Sequence, residues 1–455
     1  MMNWIPTHMA EGVPRYIAIA DAIATDIREG RLAAGDRLPP QRKLAADLGI
    51  DFTTVSRGFA EAQNRGLITS HVGRGTFVTQ AKARDTVDPA RAAAEDLSMN
   101  MPPEPTDPDL RARMKEGLDY IGANLIELLR YQSPIGTERD REAASIWLSM
   151  RGMVPALERV AVTPGAHATM AAILSIIAKP GDKILCEEIT YPGLRNIAGR
   201  FGVDLVGLPM DQDGVLPDAL DEAIGRHRPK ALYLNPTLQN PTTLTVPEPR
   251  RLALAEILRH HALTLIEDDA YGFIPARAPA PIAVSIPDLT WHIGGLAKCI
   301  GAGLRLAYTV APSAKCAFRL TQAVRALSVM PSPLSMALTT QWIEDGTADS
   351  IRRFIRAESA ARQTLAAQAL EGFEFKSAPN AFNLWLELPE GIGRADVIAR
   401  LAGRKLSLMP SDAFTVAGQP PERLRVSLGG SISREMLKEN LLHLNHALSL
   451  DSFLG

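Results

Sequence analysis

The sequence predicts two domains: a small α+β domain with a helix-turn-helix pattern, followed by an α/β domain whose mostly parallel sheet is covered by helices. The chain has 455 residues, and at about 100–200 residues per domain it is too long for a single core. A stretch rich in Ala, Pro and charge divides it and indicates a linker at residues 80–108. The predicted domains are therefore residues 13–79 and 109–455.

The first domain carries the helix-turn-helix pattern. Residues 16–29 place apolar side chains at helical spacing, and two further helices, 41–48 and 53–65, are joined around Gly49. Strands are expected at 67–70 and 76–78, around a hairpin tip of sequence Gly-Arg-Gly at residues 73–75. A basic hairpin that follows the two helices of the helix-turn-helix is typical of a winged helix-turn-helix domain.

In the second domain, helical stretches alternate with short β-branched runs. The runs at 159–163, 183–186, 231–235 and 264–267 are the clearest. Strands that alternate with helices favour parallel pairing, because each crossover helix returns the chain to the same end of the sheet.

The composition is that of a folded globular protein, with 46% hydrophobic and 22% charged residues. The longest apolar run, near residue 174, has about half of the roughly 20 residues that a membrane span needs, and the N-terminus lacks a signal pattern. We therefore expect a cytoplasmic protein without a membrane partner. Three cysteines, Cys186, Cys299 and Cys316, match neither a disulfide framework nor a zinc site, so no metal is expected.

The net charge of −2 neither suggests nor excludes nucleic acid. If the first domain binds DNA, helix 53–65 enters the major groove while Arg42 and Arg74 reach phosphates or the minor groove. The alternative is a small protein–protein module, since residues 1–80 hold nine Arg and Lys against eight Asp and Glu.

Residues 16–78 resemble the DNA-binding domain of the GntR family. The motifs that carry the resemblance are LPPQRKLA, TTVSR and GRGTFV. The resemblance implies operator DNA as a partner. Family members often carry Arg at the positions of Phe52 and Ser56, so some contacts must differ. The implied contact residues are Arg42, Thr53, Thr54, Ser56, Arg57, Arg74 and Gly75.

The second domain places chemically useful residues at the carboxyl ends of its predicted strands. An Asn-Pro loop at 235–242 follows one strand, Asp268 and Tyr271 follow another, and Lys298 precedes the Gly-Ala-Gly-Leu-Arg segment at 301–305. Ligands of α/β sheets bind at this edge, because loops and helix N-termini converge there.

These residue types suit pyridoxal phosphate, which needs an amine for its aldehyde, an acid for its pyridine nitrogen and donors for its phosphate. Lys298 would form the Schiff base, Asp268 would keep the ring nitrogen protonated, and Asn240 and Tyr271 would bond the phenolic oxygen. Arg305 would hold the phosphate.

Two further contributions to the cofactor site are expected. Backbone N–H groups at Gly165, Ala166 and His167, which open a helix, would help Arg305 to bind the phosphate, and Tyr191 would stack on the ring. Each residue taken alone can also be explained without a cofactor. A lysine is usually solvated, an aspartate can cap a helix, and an Asn-Pro pair is usually part of a turn. Their joint order favours the cofactor.

From residue 109 onward the chain resembles the fold-type I aminotransferases, and with the GntR-like segment it resembles the MocR-type regulators. The matching motifs are TPGAHATM, YPG, NPTLQNPT, DDAY, LAKCIGAGLRLAY and LRVSLGG. The resemblance implies the roles given above for Lys298, Asp268 and Arg305. It also implies that Arg425 binds an α-carboxylate and that Tyr131 reaches the phosphate of a neighbouring subunit, and hence a homodimer.

The segment before Lys298 departs from the aminotransferase pattern. Gly294, Gly295, Leu296 and Ala297 supply none of the hydroxyl groups that are usual there, so one or two phosphate hydrogen bonds should be missing and cofactor binding weakened. Cys299 could have a redox role or could be a small buried residue. The structural role is favoured, because no His or second Cys lies nearby in the sequence.

Three functions agree with these features. The chain is a regulator that senses an amine or amino acid effector through pyridoxal phosphate, an aminotransferase with an accessory first domain, or a regulator whose second domain is a scaffold without cofactor. The intact GntR-like motifs and the set Lys298, Asp268 and Arg305 favour the first, with at most residual transaminase half-reactions.

Overall fold

The computed structural model describes residues 4–6, 9, 12–71, 74–79, 96 and 98–449. The chain divides into two compact units, one ending at Glu95 and the other beginning at Asp96. Among the described helices, none combines the length and the apolar composition that a membrane span requires.

The first unit is a three-helix domain with a hairpin, as the sequence predicts. Its elements are α1 (Arg15–Arg28), α2 (Gln41–Leu48), α3 (Phe52–Asn64), β1 (Ile68–His71) and β2 (Gly75–Val78). The two strands pair antiparallel, and the register places Ile68 opposite Val78. Residue 73 of the predicted hairpin tip, and residue 72 before it, lie outside the described residues.

Local chemistry explains the helix-turn-helix. Gly49 takes a left-handed conformation (φ 62°) that ends α2, and the Asp51 side chain accepts the Thr53 N–H and thereby caps α3. A Cβ on Gly58 would lie 2.9 Å from the Cβ of Ile19, so only glycine allows α1 and α3 to pack this closely. Ile19 and Phe59 are both buried in the resulting core.

The second unit contains thirteen described α-helices. They are α4 (Pro108–Ala123), α5 (Leu125–Leu128), α6 (Glu138–Ser149), α7 (Ala166–Ile177), α8 (Pro192–Phe201), α9 (Pro217–His227), α10 (Glu248–His260), α11 (Ile282–Ser285), α12 (Ala314–Ser328), α13 (Pro333–Glu344), α14 (Thr347–Ala369), α15 (Arg394–Arg400) and α16 (Arg434–Ser449).

Its strands form a large sheet, a small sheet and a short hairpin. They are β3 (Val160–Thr163), β4 (Lys183–Glu187), β5 (Asp204–Leu208), β6 (Met210–Asp211), β7 (Gly214–Val215), β8 (Ala231–Leu234), β9 (Thr264–Asp268), β10 (Thr290–Gly295), β11 (Ala307–Val310), β12 (Phe375–Lys376), β13 (Asn383–Glu387), β14 (Leu408–Pro410) and β15 (Arg423–Ser427).

The large sheet confirms the predicted mostly parallel topology. Its seven strands run in the order β3-β11-β10-β9-β8-β4-β5, and β11 runs opposite to the other six. Strands β8 and β10 are buried along their whole length, as expected for a sheet covered by helices on both faces. The carboxyl ends of β4, β8, β9 and β10 therefore meet at one edge.

The small sheet is antiparallel, in the order β12-β13-β15-β14. Apolar residues of β13 and β15 pack against those of α14 and α16 in a separate cluster that includes Leu384, Val426 and Leu441. This packing places Arg425, on β15, next to the edge of the large sheet where the cavity described below lies.

The predicted linker at 80–108 needs a correction at its second half. Residues 80–95 lie outside the described residues, but residues 98–107 belong to the second unit. Pro103 bridges to Gly430, the Gly430 N–H donates to the Pro102 carbonyl over 3.1 Å, and Asn100 is only 2% exposed. The prolines here belong to an extended segment that packs on the domain. Composition alone does not distinguish such a segment from a linker.

Candidate functional site

A cavity of about 340 Å³ lies at the carboxyl edge of the large sheet. It brings together every residue that the sequence suggested for cofactor or effector binding except Tyr131. Those residues are Gly165, Ala166, His167, Tyr191, Asn240, Asp268, Tyr271, Lys298, Arg305 and Arg425.

Asp268 ends strand β9 and presents one free oxygen to this region. Its Oδ2 accepts the Tyr233 hydroxyl over 2.9 Å, whereas its Oδ1 is buried and has no hydrogen-bond partner among the described residues. Burial raises the pKa of the carboxyl to about 6. An unpartnered buried carboxylate oxygen is costly, so the site fits a ligand that brings an N–H or a positive charge, such as a protonated pyridine nitrogen.

Asn235 fixes the position of this carboxylate. Its Nδ2 donates to the Asp268 carbonyl over 2.6 Å, its Oδ1 accepts the Asn240 N–H over 2.9 Å, and its own N–H donates to Glu187 over 3.0 Å. The ends of β4, β8 and β9 are thereby tied together, and Asn240 is held at the cavity wall.

Lys298 lies in the cavity and is largely withdrawn from solvent. Its ammonium group donates to the main-chain carbonyl of Asn100. Burial, together with the positive charge of Arg425, lowers the pKa of the amine to about 7. A substantial share of neutral amine near neutral pH is what a nucleophilic lysine requires.

Tyr271 stands beside Lys298, whose Nζ lies 6.0 Å from the centre of the phenol ring. The Tyr271 oxygen accepts a hydrogen bond from the Asn100 amide over 3.2 Å, and burial raises the pKa of the phenol to about 12. The phenol therefore keeps its proton and can donate it to a ligand oxygen.

Arg305 lies beside the start of α7 in the cavity wall, an arrangement that suits an anion. Gly165 has φ 88°, a conformation that suits glycine, and a Cβ there would lie 3.5 Å from the Arg305 guanidinium. The first N–H groups of α7 have no acceptor within the helix, so they add donors next to the guanidinium. Burial and the charge of Arg305 lower the pKa of His167, which favours its neutral form.

Tyr191 forms another wall of the cavity, directly before α8. A Cβ on Gly193 would lie 2.2 Å from the Tyr191 ring, so glycine is required for the ring to hold this position. An aromatic face here suits stacking on a planar ligand.

Arg425 is a buried cation that pairs with no acid among the residues that the structure describes. Its Nη1 donates to Asn240 Oδ1 over 3.3 Å and its Nη2 to the Ser98 carbonyl over 2.9 Å, while Nε has no partner. No carboxylate of the described residues forms an ion pair with it. Burial lowers the pKa of this guanidinium, so a bound carboxylate would be strongly favoured.

The segment before Lys298 is apolar, as the sequence says. Gly295 and Ala297 line the cavity, whereas Gly294 and Leu296 do not. Cys299 is fully buried, its Sγ lies 3.7 Å from the Gly295 carbonyl, and burial raises the pKa of its thiol. These features favour the interpretation of Cys299 as a small buried residue.

Tyr131 does not line the cavity of this chain. Its side chain is 87% exposed in the loop after α5. A role toward a neighbouring subunit stays a prediction.

Sequence reasoning missed Asn100, Tyr233, Asn235 and Glu187. Asn235 was visible as the first residue of the Asn-Pro loop, and Glu187 as an acid at the end of an apolar strand. Glu187 accepts the Thr190 hydroxyl over 3.0 Å, and burial raises the pKa of its carboxyl to about 7. The sequence around Asn100 contains no motif that points to this site.

The first unit presents a second candidate site on α2, α3 and β2. Arg42 and Arg57 are exposed, with guanidinium carbons 5.8 Å from the ring centre of Phe52 and 4.4 Å from that of Tyr16. Thr53 is exposed and bonded to Asp51, whereas Thr54 and Ser56 are half-buried.

The hairpin adds a basic edge to this unit. Arg74 is exposed, and Gly75 has φ 109°. A Cβ on Gly75 would lie 2.8 Å from Arg37 Nε, so the glycine lets Arg37 lie against the wing. Arg37 was not among the predicted contact residues, although its position next to Leu38 and Pro39 could have suggested it.

Comparison with known proteins identifies both units. Residues 15–78 match the bacterial regulatory proteins of the gntR family, and residues 95–444 match the aminotransferases of class I and II. The chain therefore belongs to the class I and II aminotransferase family, whose fold binds pyridoxal phosphate, and carries an N-terminal GntR helix-turn-helix domain. This confirms the predicted fold of each domain.

Two relatives that match most of the chain are named as regulators. The protein named uncharacterized HTH-type transcriptional regulator YdeF of Bacillus subtilis (strain 168) is 27% identical over 457 residues, which cover 98% of this chain and 97% of that protein. The probable rhizopine catabolism regulatory protein MocR of Rhizobium meliloti is 28% identical over 381 residues, or 77% of this chain and 76% of that protein. The chain is thus similar to HTH-type transcriptional regulators.

A solved structure supports the fold of the second unit. The α-aminoadipate aminotransferase LysN from Thermus thermophilus, solved with N-(5'-phosphopyridoxyl)-L-leucine, has a TM-score of 0.70 and 23% identity. The match covers 80% of this chain and 97% of that chain. At this identity the likeness shows the fold.

Proposed function

We propose that the protein is a cytoplasmic, homodimeric transcription regulator that uses pyridoxal phosphate to sense an amine or an amino acid. Its GntR domain binds operator DNA, and its aminotransferase domain binds the effector. The observation that carries the proposal is the unpartnered Oδ1 of Asp268, which lies in one cavity with Lys298 and Arg305.

The residues present fit the cofactor. Arg305 and the N–H groups at the start of α7 would hold its phosphate, Asp268 its ring nitrogen, and Tyr271 with Asn240 its phenolic oxygen. Tyr191 would cover one face of the ring. When bound, the cofactor would supply an aldehyde that condenses with primary amines, and the amines available to it would be those of Lys298 and of the effector.

The chain's own groups support such an exchange. With its pKa lowered to about 7, the Lys298 amine is available to attack at neutral pH and to accept a proton on release. Arg425 lies in the same cavity without an acidic partner among the described residues, and its guanidinium would orient an effector's carboxylate.

The dimer is supported by exposed apolar side chains in the segment 126–154, which contains Tyr131. Large apolar side chains of α5, α6 and the loop that follows are exposed on the single chain, up to 92% at Val154. Tyr131 would then enter the site of the partner subunit. The exposed apolar residues are Ile126, Leu129, Ile146 and Val154.

The test is the absorbance of the purified protein after addition of pyridoxal phosphate. A lysine-linked cofactor absorbs visible light and becomes irreversibly attached on reduction with borohydride. Lys298→Ala should abolish the reducible adduct, because it removes the amine in the cavity, whereas the same replacement at the exposed Lys315 of α12 should not. A Lys298→Ala protein that forms the adduct at unchanged stoichiometry contradicts the assignment.

A second candidate is an active aminotransferase with an accessory first domain. The observation that favours it is the retention of Lys298, Asp268, Arg305 and Arg425 together in one cavity. Incubation with amino acids and a keto acid separates the two, because an enzyme turns over many times, whereas the proposed regulator gives at most single half-reactions. A scaffold without cofactor, the remaining alternative, would show no visible absorbance.

A further inference from the structure

Residues 98–100, close to the start of the second unit, line the cavity. Ser98, Met99 and Asn100 all contribute to the cavity wall. They directly follow the junction between the two units at residues 95 and 96. The covalent connection to the DNA-binding unit therefore ends at the predicted effector site.

The side chain of Asn100 fastens this segment to the domain. Its Nδ2 donates to the Tyr271 hydroxyl over 3.2 Å and to Asn383 Oδ1 over 3.0 Å. Its Oδ1 accepts the Ser427 hydroxyl over 2.8 Å. Both amide hydrogens are used, and the partners come from three separate parts of the domain, so this residue fixes the position of the segment.

The main chain of the same segment binds the two cations of the cavity. The Asn100 carbonyl accepts Lys298, and the Ser98 carbonyl accepts Arg425 Nη2 over 2.9 Å. The Ser98 carbonyl thus binds Arg425 where the carboxylate of an effector would bind. The Asn100 carbonyl lies at Lys298, where the amine of an effector would reach the cofactor.

A carboxylate binds a guanidinium more strongly than a neutral carbonyl does, because its bonds are charge-assisted and can be bidentate. Arg425 Nε is buried without a partner, so the guanidinium has an unused donor for a second bond. Exchange of the Ser98 carbonyl for a carboxylate is therefore favourable at this position.

We propose that residues 98–100 are an internal stand-in for the effector's carboxylate, and that an effector which binds both Arg425 and the cofactor releases the segment. Release frees the connection to the DNA-binding unit and thereby changes operator affinity. This inference rests on the proposed function and specifies its signal path and its effector class. An amino acid releases the segment, whereas an amine without a carboxylate replaces Lys298 and leaves Ser98 on Arg425.

The first experiment uses Asn100→Ala in the full-length holoprotein, with operator DNA selected from a random library by the wild-type protein. Without effector, this variant should show the operator affinity that the wild type shows with a saturating amino acid, in whichever direction that change runs. The amino acid should then have little further effect. Asn445→Ala, which removes one hydrogen bond from α16 to the Ala369 carbonyl, is the matched control and should behave like the wild type.

The inference is overturned if Asn100→Ala keeps both the unliganded affinity and the full response of the wild type. If the amino acid leaves wild-type operator affinity unchanged, the proposed function fails instead.

The second experiment observes the segment directly, without DNA and without removing Asn100. A spin label is attached to Met99→Cys in a Cys316→Ser background, since Met99 is an exposed part of the segment and Cys186 and Cys299 are buried. Each of the twenty L-amino acids is compared with its decarboxylated amine.

The label should become mobile with the amino acid that shifts the cofactor's absorbance and should stay restrained with the corresponding amine. Equal mobility with both ligands, or no change with either, overturns the inference. Arg425→Gln should mobilise the label without any ligand, because it removes the donor to Ser98.

Discussion

At Ala297 this cavity differs from the aminotransferase pattern by a single missing hydroxyl group. It lines the cavity one position before Lys298 and carries a methyl group where a hydroxyl is usual. A lost neutral hydrogen bond changes affinity by about threefold to tenfold.

We therefore expect Ala297→Ser to tighten the binding of pyridoxal phosphate by about threefold to tenfold, because the new hydroxyl would donate a hydrogen bond to a phosphate oxygen. Equilibrium titration followed by absorbance measures the change. Ala302→Ser is the control, since Ala302 does not line the cavity. Unchanged affinity for Ala297→Ser would show that the phosphate does not lie beside this position.

Lys298 illustrates a conflict between function and stability in a single side chain. Its pKa is about 7 in the folded protein because burial and Arg425 disfavour the charge, whereas an unfolded lysine has a pKa of about 10.4. Between these values the unfolded chain holds one more proton than the folded chain. Stability of the wild type therefore rises with pH across this window, by up to about 1.4 kcal/mol per unit.

Lys298→Met should consequently be more stable than the cofactor-free wild type, and its advantage should fall by about 2 kcal/mol between pH 7.5 and 9. Urea unfolding of both proteins at the two pH values measures this. The same replacement at the exposed Lys315 serves as the control. An advantage that does not change with pH would contradict the lowered pKa of Lys298.

At the scale of elements, the first unit offers a test of the predicted DNA surface. Arg42 on α2 and Arg57 on α3 are exposed, and each guanidinium lies over an aromatic ring. Each replacement by Ala should weaken operator binding by about 1–3 kcal/mol if the side chain touches a base or a buried phosphate. Arg28→Ala, an exposed arginine at the end of α1, changes the charge equally and controls for it.

The operator affinity of the double variant Arg42→Ala, Arg57→Ala, measured by fluorescence anisotropy, decides the matter. Undiminished binding would rule out this face of the unit. Footprints of the wild type should show two half-sites, because a domain with so few basic residues needs a second copy for useful affinity.

The elements that sequence reasoning predicted correctly are those with strong local signals. The bounds of α2 agree at both ends, because Pro40 and Gly49 mark its start and its end. The placement of Asp268 at the end of β9, and of Lys298 in the loop after β10, agrees with the expectation that a parallel sheet collects such residues at one edge.

The cavity wall formed by Asn100 could not be predicted in this way. Its partners Tyr271, Asn383 and Ser427 lie between 171 and 327 residues further along the chain. Its local sequence is rich in proline and polar residues, which resembles a linker. Only the folded domain shows that Asn100 is buried and lines the cavity.

At the scale of the whole molecule, the central claim is that effector and operator are coupled through one protein. Such coupling is reciprocal, since each ligand must change the affinity for the other by the same factor. Couplings between sites are typically about 1–3 kcal/mol, which corresponds to about fivefold to 150-fold.

The most direct test is a paired titration of the holoprotein. The amino acid is titrated by absorbance with and without saturating operator DNA, and the operator is titrated by anisotropy with and without saturating amino acid. The account predicts two equal factors between about fivefold and 150-fold, both lost in Arg425→Ala while the visible absorbance of the cofactor-bound protein remains. No change in either titration would contradict the claim that this protein senses an amino acid to regulate DNA binding.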